Sequence, residues 1–347
     1  MIIGNHNLAE KVFIIAELSA NHNGSLETAL RTIDAMKASG ADAIKLQTYT
    51  PDTITLDCDS ELFTIAQGTL WDKRKFYDLY AEAMTPWEWH EILFKHAKSL
   101  GMEAFSSPFD PSAVDFLSAL NVPAYKIASF EITDIPLIEY TASKGKPIII
   151  STGIATLGDI EDALDACRRV GNDQITLLKC TSAYPAALEE MNLLTIADMQ
   201  KRFRVTVGLS DHTMSVAAPV AAVALGARVI EKHFILDRAM GGADSAFSLE
   251  PAEFRAMVDA VRDTEKLMGK ITYDLSPKSL KSREFSRSLF ITEDVKAGDT
   301  ITDSNIRSVR PGFGMSPKYL HSILGKKFTV DLTKGTPLSW DHIAADT

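Results

Sequence analysis

The sequence predicts an α/β fold, a (β/α)₈ TIM barrel followed by a small, mostly β C-terminal domain. Three observations carry that prediction. Over the first ~270 residues, short apolar runs alternate with amphipathic stretches, the pattern of repeated βα units. Eight such runs can be counted, and almost every one ends in a polar residue. Past Leu275 the pattern gives way to short strand-like pieces separated by turn residues.

The predicted strands are Val12–Ser19, Ala43–Thr48, Met102–Phe109, Ala124–Ser129, Pro147–Thr152, Ile175–Tyr184, Thr206–Thr213 and Val229–Leu236. Helical spacing lies between them. Leu26, Leu30, Ile33 and Met36 recur ahead of Gly40, and Val114, Leu117 and Leu120 recur before the fourth strand. Thr85-Pro86-Trp87-Glu88 reads as a capping box with Pro at the first helical position. It opens a run in which Trp89, Ile92, Leu93 and Ala97 share a face before Gly101. An open doubly wound sheet would want a Gly-rich phosphate loop after its first strand, and ELSANHNG is not one. The barrel occupies residues 1–275. The polar and basic stretch 276–288 reads as a linker, and 289–347 as the appended domain, with turns at Ala297-Gly298-Asp299, Arg310-Pro311-Gly312 and Lys334-Gly335.

Composition narrows the function. The 347 residues are 46% hydrophobic and 24% charged, enough for a sizeable core and unlike a disordered chain. The formal net charge of −10 argues against a general nucleic-acid binder or a protein of anionic membranes. An anionic small molecule would have to meet locally concentrated Lys, Arg or helix N-termini. Cys58, Cys167 and Cys180 are too few and too scattered for a disulfide framework or a CxxC zinc site. The N-terminus lacks a basic segment followed by an apolar stretch and a cleavage site. No apolar run approaches the ~18–20 residues of a membrane span. A soluble, reduced, cytoplasmic protein is expected.

In a (β/α)₈ barrel the chemistry collects at the C-terminal ends of the strands. Strand one ends in Glu17 and runs into Asn21-His22-Asn23-Gly24; strand two carries Lys45 and Gln47. Strand three gives Ser106 and Ser107, strand four Lys126, Ser129 and Glu131, and strand five Ser151 and Thr152. Strand six supplies Ser182 and Tyr184, and strand seven Ser210, Asp211 and His212. Strand eight carries Glu231, Lys232 and His233, with Asp237 and Asp244 beyond it. Taken singly, these hydroxyls also suit helix caps, and Asn23-Gly24 is a good turn by itself. Together they point further. His212 and His233 end neighbouring strands, and Glu17 closes beside strand eight. Two imidazoles with nearby carboxylates at one rim suit a divalent cation such as Mn²⁺, Co²⁺ or Zn²⁺, with positions left open for substrate. Across the mouth, Lys45 and Lys126 with Ser129, Ser151, Ser182 and Ser210 suit a phosphate and a carboxylate, although either lysine equally suits an ion pair with a rim carboxylate.

These segments resemble the sialic acid synthase family, phosphoenolpyruvate-dependent synthases of nine-carbon nonulosonic acids. The matching stretches are IIAELSANHNGSL (14–26), AIKLQT (43–48), SSPF (106–109), YKIASFE (125–131) and PIIISTG (147–153). KCTSAYP (179–185), GLSDHT (208–213) and IEKHF (230–234) follow. RSLFITEDVKAG (287–298), RPGFGMSP (310–317) and GKK (325–327) look like the antifreeze-like, or SAF, domain that such synthases carry. Ser182 stands where many members have Asn, and Ser107-Pro108 where others have Thr-Pro. QTYTPDTITL (47–56), GTLWDKRKFY (68–77) and TPWEWH (85–90) are similar to the pseudaminic branch of the family. That branch implies a 2,4-diacetamido-2,4,6-trideoxy-altrose acceptor instead of N-acetylmannosamine. Tyr49, Trp71 and Tyr77 suit a wall for so apolar a sugar, and suit packing of a long loop on the rim equally well.

The resemblance implies condensation of phosphoenolpyruvate with an open-chain aldehyde, by C–O cleavage and with release of phosphate. His212 and His233 would hold the divalent metal (Mn²⁺, Co²⁺ or Mg²⁺). Lys45, Ser107, Lys126, Ser129, Ser151, Ser182, Tyr184 and Ser210 would hold phosphoenolpyruvate. Glu17 and Glu231, with Lys45 beside them, would manage protons, Glu131 would activate water, and Gln47 and Asp244 would meet sugar hydroxyls. Which carboxylate takes which proton is not legible here. A domain-swapped homodimer is implied too, with Arg310 reaching the acyl group of the sugar and Phe285 or Arg287 acting as a lid; Arg310 also suits a solvated turn. The rival readings are an N-acetylneuraminic or legionaminic acid synthase, a Schiff-base aldolase using Lys45 or Lys126, and a non-catalytic sugar- or peptide-binding protein.

Overall fold

Each of the eight apolar runs is a strand in the computed structural model, which describes residues 1–66, 68 and 70–345. They are β1 (Phe13–Glu17), β2 (Ala43–Thr48), β3 (Glu103–Pro108), β4 (Tyr125–Ile127), β5 (Ile148–Ser151), β6 (Ile175–Cys180), β7 (Thr206–Asp211) and β8 (Val229–His233). Sequence neighbours pair in parallel, and β8 closes on β1 with His233 opposite Glu17. The Ile-, Val- and Leu-rich strands are buried along their length, as a parallel sheet covered by helices requires. Phe13 and Phe105 stack across the interior at 6.4 Å.

The helices follow the predicted faces. Leu26–Ala38 buries Ala29, Thr32, Ile33 and Met36, and Ser25 Oγ caps it by accepting the N–H of Thr28. The helix expected to open with a capping box at Thr85 spans Trp87–Ser99, with Pro86 in the capping position and no side-chain cap. Thr85 is buried and its Oγ1 has no hydrogen-bond partner, so that expectation is corrected. Proline fixes the entry angle there, and the hydroxyl lies one residue too early to reach the first free N–H groups. The sequence reading also missed a hairpin, Ile2–Ile3 against His6–Asn7. Ile3 and Leu8 join the core beside it, and Asn5 N donates to Glu103 Oε1 at 2.7 Å, at the end of the barrel away from the polar strand ends.

By contact density the chain divides into Met1–Gly269 and Lys270–Thr347. Within the second unit, residues 276–288 include a helix at Pro277–Ser282 and a 3₁₀ turn at Arg283–Phe285. Ser288–Ile291 then pairs antiparallel with Ile306–Val309. Leu289, Ile291, Ile301, Ile306, Ile323, Phe328 and Leu338 form a core of its own. Among the described residues no helix is long and apolar enough to cross a membrane.

Barrel closure leaves no room at Gly208, between Leu178 of β6 and Val229 of β8. A Cβ there would lie 2.4 Å from the carbonyl oxygen of Val229 and 2.6 Å from Leu178 Cδ2. Backbone cannot yield as a side chain can, so Gly208→Ala should destabilise the barrel by at least the ~1–3 kcal/mol typical of overpacking. The midpoint of urea unfolding measures it, and an unchanged midpoint would show that the strands can part.

Candidate active site

Strand alternation points Glu17, Lys45, Gln47, Ser107, Lys126, Ser210 and Glu231 into one end of the barrel, and the contacts of all but Ser107 form a single buried network. The ammonium of Lys45 lies against Glu17 Oε2 and 3.8 Å from Glu231 Oε2. Lys126 Nζ is 3.6 Å from Glu231 Oε1, which also accepts the hydroxyl of Ser210 at 2.9 Å. Gln47 Nε2 donates to Glu17 Oε1 at 3.2 Å and to Ser19 Oγ at 2.8 Å. All four charged side chains are at most 5% exposed.

The network separates its carboxylates. Burial raises the Glu17 carboxyl against the pull of Lys45, and the charge of Glu231 adds to the rise. Burial would raise Glu231 too, but Lys126 and Lys45 outweigh it and hold that carboxyl low. Burial lowers Lys126, whereas Glu17 and Glu231 overcome burial at Lys45 and hold its proton on. Glu131 is pushed up to about 7 by burial, against the attraction of Lys126.

Beside this network the phosphate-side hydroxyls gather round one glycine. Gly153 N donates to Ser129 Oγ at 3.1 Å. A Cβ at Gly153 would lie 2.0 Å from Ser182 Oγ, 2.7 Å from Ser129 Oγ and 3.2 Å from Cys180 Sγ. Ser107 Oγ and Ser151 Oγ are buried with no partner in the protein, as is Glu131 Oε2. Buried polar atoms normally find partners, so a concentration of spare acceptors and donors next to Lys126 has the chemistry of an anion cradle.

On the β7–β8 side, the His212 and His233 rings lie 5.5 Å apart. His212 Nδ1 bonds the carbonyl of Thr181 at 3.0 Å, which leaves Nε2 free of that bond. His233 Nδ1 is buried without a hydrogen-bond partner, 3.8 Å from Asp244 Oδ2. Burial, then the charges of His212 and Lys45, hold His233 far below its usual range and therefore neutral. The neutral His233 ring and the Nε2 of His212, once its proton is displaced, fit two ligands of a divalent ion. Among the described residues no third His, Cys, Asp or Glu completes the set, so any further ligands must come from substrate or water. Asp244 Oδ2 accepts from Ala20 N at 3.4 Å, and burial raises its carboxyl.

Tyr184 packs on His212 at 4.4 Å and on Phe247 at 4.9 Å, with Trp71 at 5.8 Å on another side. Trp71 Nε1 donates to Ala243 O, next to Asp244. The structure thus joins Trp71 to the rim. Tyr49 packs edge-on to Tyr80 and Phe109, within the field of Asp244 and Glu17. Tyr77 donates to Asp52 Oδ1 at 3.1 Å. Thr69 of that loop lies outside the described residues. Arg310 and Phe285 are exposed residues of the second unit.

Sequence reasoning overlooked Gly153, Cys180 and Phe247. A glycine directly after the strand-end pair Ser151-Thr152 signals close backbone approach, and Cys180 shares the strand face of Ser182 by period two. Burial would raise the Cys180 thiol, yet a hydrogen bond with His212 and that ring's charge bring it down to about 7. Phe247, in a 3₁₀ turn after Asp244, carries no periodic signal at all.

Comparison with known proteins gives the family and the fold. The NeuB family matches residues 32–273, and the SAF domain matches 286–344. A pseudaminic acid synthase of Campylobacter jejuni subsp. jejuni serotype O:23/36 is 52% identical over 338 residues, covering 97% of this chain and 98% of its own. One from Helicobacter pylori is 49% identical over 331 residues, covering 95% and 97%. The crystal structure of an N-acetylneuraminic acid synthetase from Leptospira borgpetersenii serovar Hardjo-bovis superposes with a TM-score of 0.73 at 29% identity, covering 82% of this chain and 95% of that one.

The charge network implies a stability cost that can be measured without substrate. Lys45→Met removes the cation that contacts the fully buried Glu17 and lies 3.8 Å from Glu231, and breaking such a pair costs ~3–5 kcal/mol. Urea unfolding at pH 7 should show that loss. Wild-type stability in Lys45→Met would mean that Glu17 takes up a proton at no cost.

Proposed function

The chain belongs to the NeuB family, and from that premise we propose that it is a pseudaminic acid synthase, joining phosphoenolpyruvate to open-chain 2,4-diacetamido-2,4,6-trideoxy-altrose with release of phosphate. Identity of about half with pseudaminic acid synthases, from end to end, is the observation that carries the acceptor assignment. The buried mouth supplies the chemistry.

Lys126, Ser107, Ser129, Ser151, Ser182, Tyr184 and Ser210 bind phosphoenolpyruvate, and the N–H of Gly153 fixes Ser129 to receive it. His212 and His233 would hold the divalent ion, Mn²⁺, Co²⁺ or Mg²⁺, which when bound supplies Lewis-acid polarisation of the aldehyde oxygen. Gln47, Asp244 and Arg310 bind the sugar, and Tyr49, Trp71, Tyr77 and Phe285 wall it. C3 of phosphoenolpyruvate bonds to the aldehyde carbon, leaving C2 as an oxocarbenium. Water adds at C2, loses a proton, and the C2–O bond to phosphate breaks. Glu231, held ionised by two lysines, stabilises positive charge at C2. Glu17, whose proton affinity burial raises, takes part in proton transfer to the new alkoxide. Glu131 takes the proton of the attacking water. Lys45 keeps the two glutamates apart in charge; held protonated, it is no Schiff-base nucleophile. The reading is of a cytoplasmic enzyme with free thiols at Cys58, Cys167 and Cys180. It is also of a domain-swapped homodimer.

The test of function is phosphate release from phosphoenolpyruvate with a panel of aldoses. The diacetamido altrose should be preferred strongly over N-acetylmannosamine. An apolar pocket alone discriminates only ~10²-fold against an added hydroxyl, so hydrogen bonds to the second acetamido group must supply the rest. Equal turnover of N-acetylmannosamine would move the assignment to the neuraminic branch.

Glu131 gives a pH signature. Its carboxyl, raised from 4.5 to about 7, is protonated below that pH and ionised above it. A base must be ionised to act, so kcat/KM should rise through about pH 7. Glu131→Gln should remove that rise and lower the rate ~10²–10⁴-fold. A rise that persists in the variant would assign it to another group.

For the swapped dimer, His233→Ala and Arg310→Ala should each be nearly inactive alone. Mixed under subunit exchange, they form a heterodimer in which one site carries both wild-type residues, so activity should return. Verified exchange without recovery would show that each chain completes its own site.

A further inference from the structure

At the ends of β7 and β8, Ser210 lies opposite Glu231 and Asp211 opposite Lys232. Consecutive residues of a strand face opposite sides of the barrel wall. Ser210 and Glu231 meet inside, and His212 and His233 follow them on that side. Asp211 and Lys232 therefore face outward, where Lys232 also lies in the field of Glu253 on the helix Pro251–Met268. Neither side chain has any exposure. Lys232 Nζ lies 2.6 Å from Asp211 Oδ2, and it also donates to the carbonyl of Thr213. Asp211 Oδ1 accepts the N–H of Thr213 at 2.9 Å. The pair thus holds both the N–H and the carbonyl of Thr213, the residue after His212, from side chains that immediately precede His212 and His233.

We infer that the buried Asp211–Lys232 pair is a positioning device that sets the spacing of the His212 and His233 imidazoles and thereby strengthens divalent-ion binding. The inference rests on the reading above that these histidines hold the ion. A slip of one residue between β7 and β8 would turn one imidazole away from the other, and an ion pair that closes only in the observed register opposes it. Buried ion pairs contribute little net stability, and specifying register is their best-attested use. Groups behind metal ligands typically change affinity ~10–100-fold when removed.

The test uses the full-length enzyme without substrates, following free Mn²⁺ by electron paramagnetic resonance alongside thermal unfolding. The double variant Asp211→Leu/Lys232→Met removes both charges at similar volume and should leave the unfolding midpoint close to that of wild type. Its Mn²⁺ dissociation constant should rise at least tenfold. If it does not fold, Asp211→Asn, which keeps the volume and the contact to Thr213 N, carries the same expectation for Mn²⁺ binding, at a lower unfolding midpoint because Lys232 loses its counter-charge. A folded variant binding Mn²⁺ as tightly as wild type would overturn the inference alone. Wild-type enzyme that binds no Mn²⁺ would overturn the metal reading and this inference with it.

Discussion

The burial of two carboxylates and two ammonium groups at one end of the barrel is the constraint on which the rest of the site depends. Removing a charge from water is expensive, and here no single pair cancels the cost. Lys45 lies between Glu17 and Glu231, and Glu231 is shared between Lys45 and Lys126. Because the four charges balance only as a set, each fixes the neighbouring strands on which the others ride. β1, β2, β4 and β8 meet through this network, and the ends of the strands between them carry Ser107, Ser151, Ser182, Ser210 and His212. Idle stabilisation is a poor explanation for such a cluster, since well-packed apolar residues would serve as well. A cluster that sorts proton affinities within one cavity has a chemical use.

A protein that buries lysines and hydroxyls for an anion must also keep its own carboxylates from taking that place. The arrangement does so by division. Glu17 and Glu231 occupy Lys45, while Ser107 Oγ and Ser151 Oγ stay unpaired and Ser129 and Ser182 converge at Gly153. Gly153 matters because it has no side chain: the space a Cβ would take is the space in which two hydroxyls and a thiol converge. The imidazoles stand against Tyr184 and Phe247, and Cys180 Sγ, 3.9 Å from both Ser182 Oγ and His212 Nδ1, joins the anion cradle to the His212–His233 pair.

Much of this was legible in the sequence because period-two alternation and strand-end polarity are local signals. All eight strands lie within the runs read from apolar residues, and Glu17, Lys45, Lys126, Ser210 and Glu231 fell at the same rim for the same reason. Three kinds of feature escaped. The hairpin at residues 2–7 is too short to show a period, and its stability comes from the core beneath it. The helix start at Trp87 was misread because Thr-Pro satisfies a capping pattern whose geometry proline then alters. Phe247 and Gly153 act through distant neighbours, and no local pattern encodes a contact across the barrel. Proton affinities lay furthest out of reach, since Glu231 is held low by two lysines and Ser210 together, whereas burial and the charge of Glu231 outweigh Lys45 at Glu17.

The division of labour between strands and loops also bears on selectivity. Reaction chemistry sits on the strands, where backbone hydrogen bonds on both sides hold each side chain in place. The acceptor, in contrast, must be met by loops, and the loops here are tied to one another as well as to the barrel. Asn21 Nδ2 donates to Phe234 O and Ser248 Oγ, Ala20 N to Asp244, and Trp71 Nε1 to Ala243 O. Three segments distant in sequence are therefore braced around Asp244, on the side of the mouth where the imidazoles stand. On the proposed function a sugar bound there would meet a wall braced by these hydrogen bonds, and discrimination between aldoses that differ by an acetamido group requires such bracing: a loop able to shift would accommodate the smaller sugar at little cost. Acceptor choice can consequently change through this brace while the charge network beneath it, and with it the reaction, stays as it is.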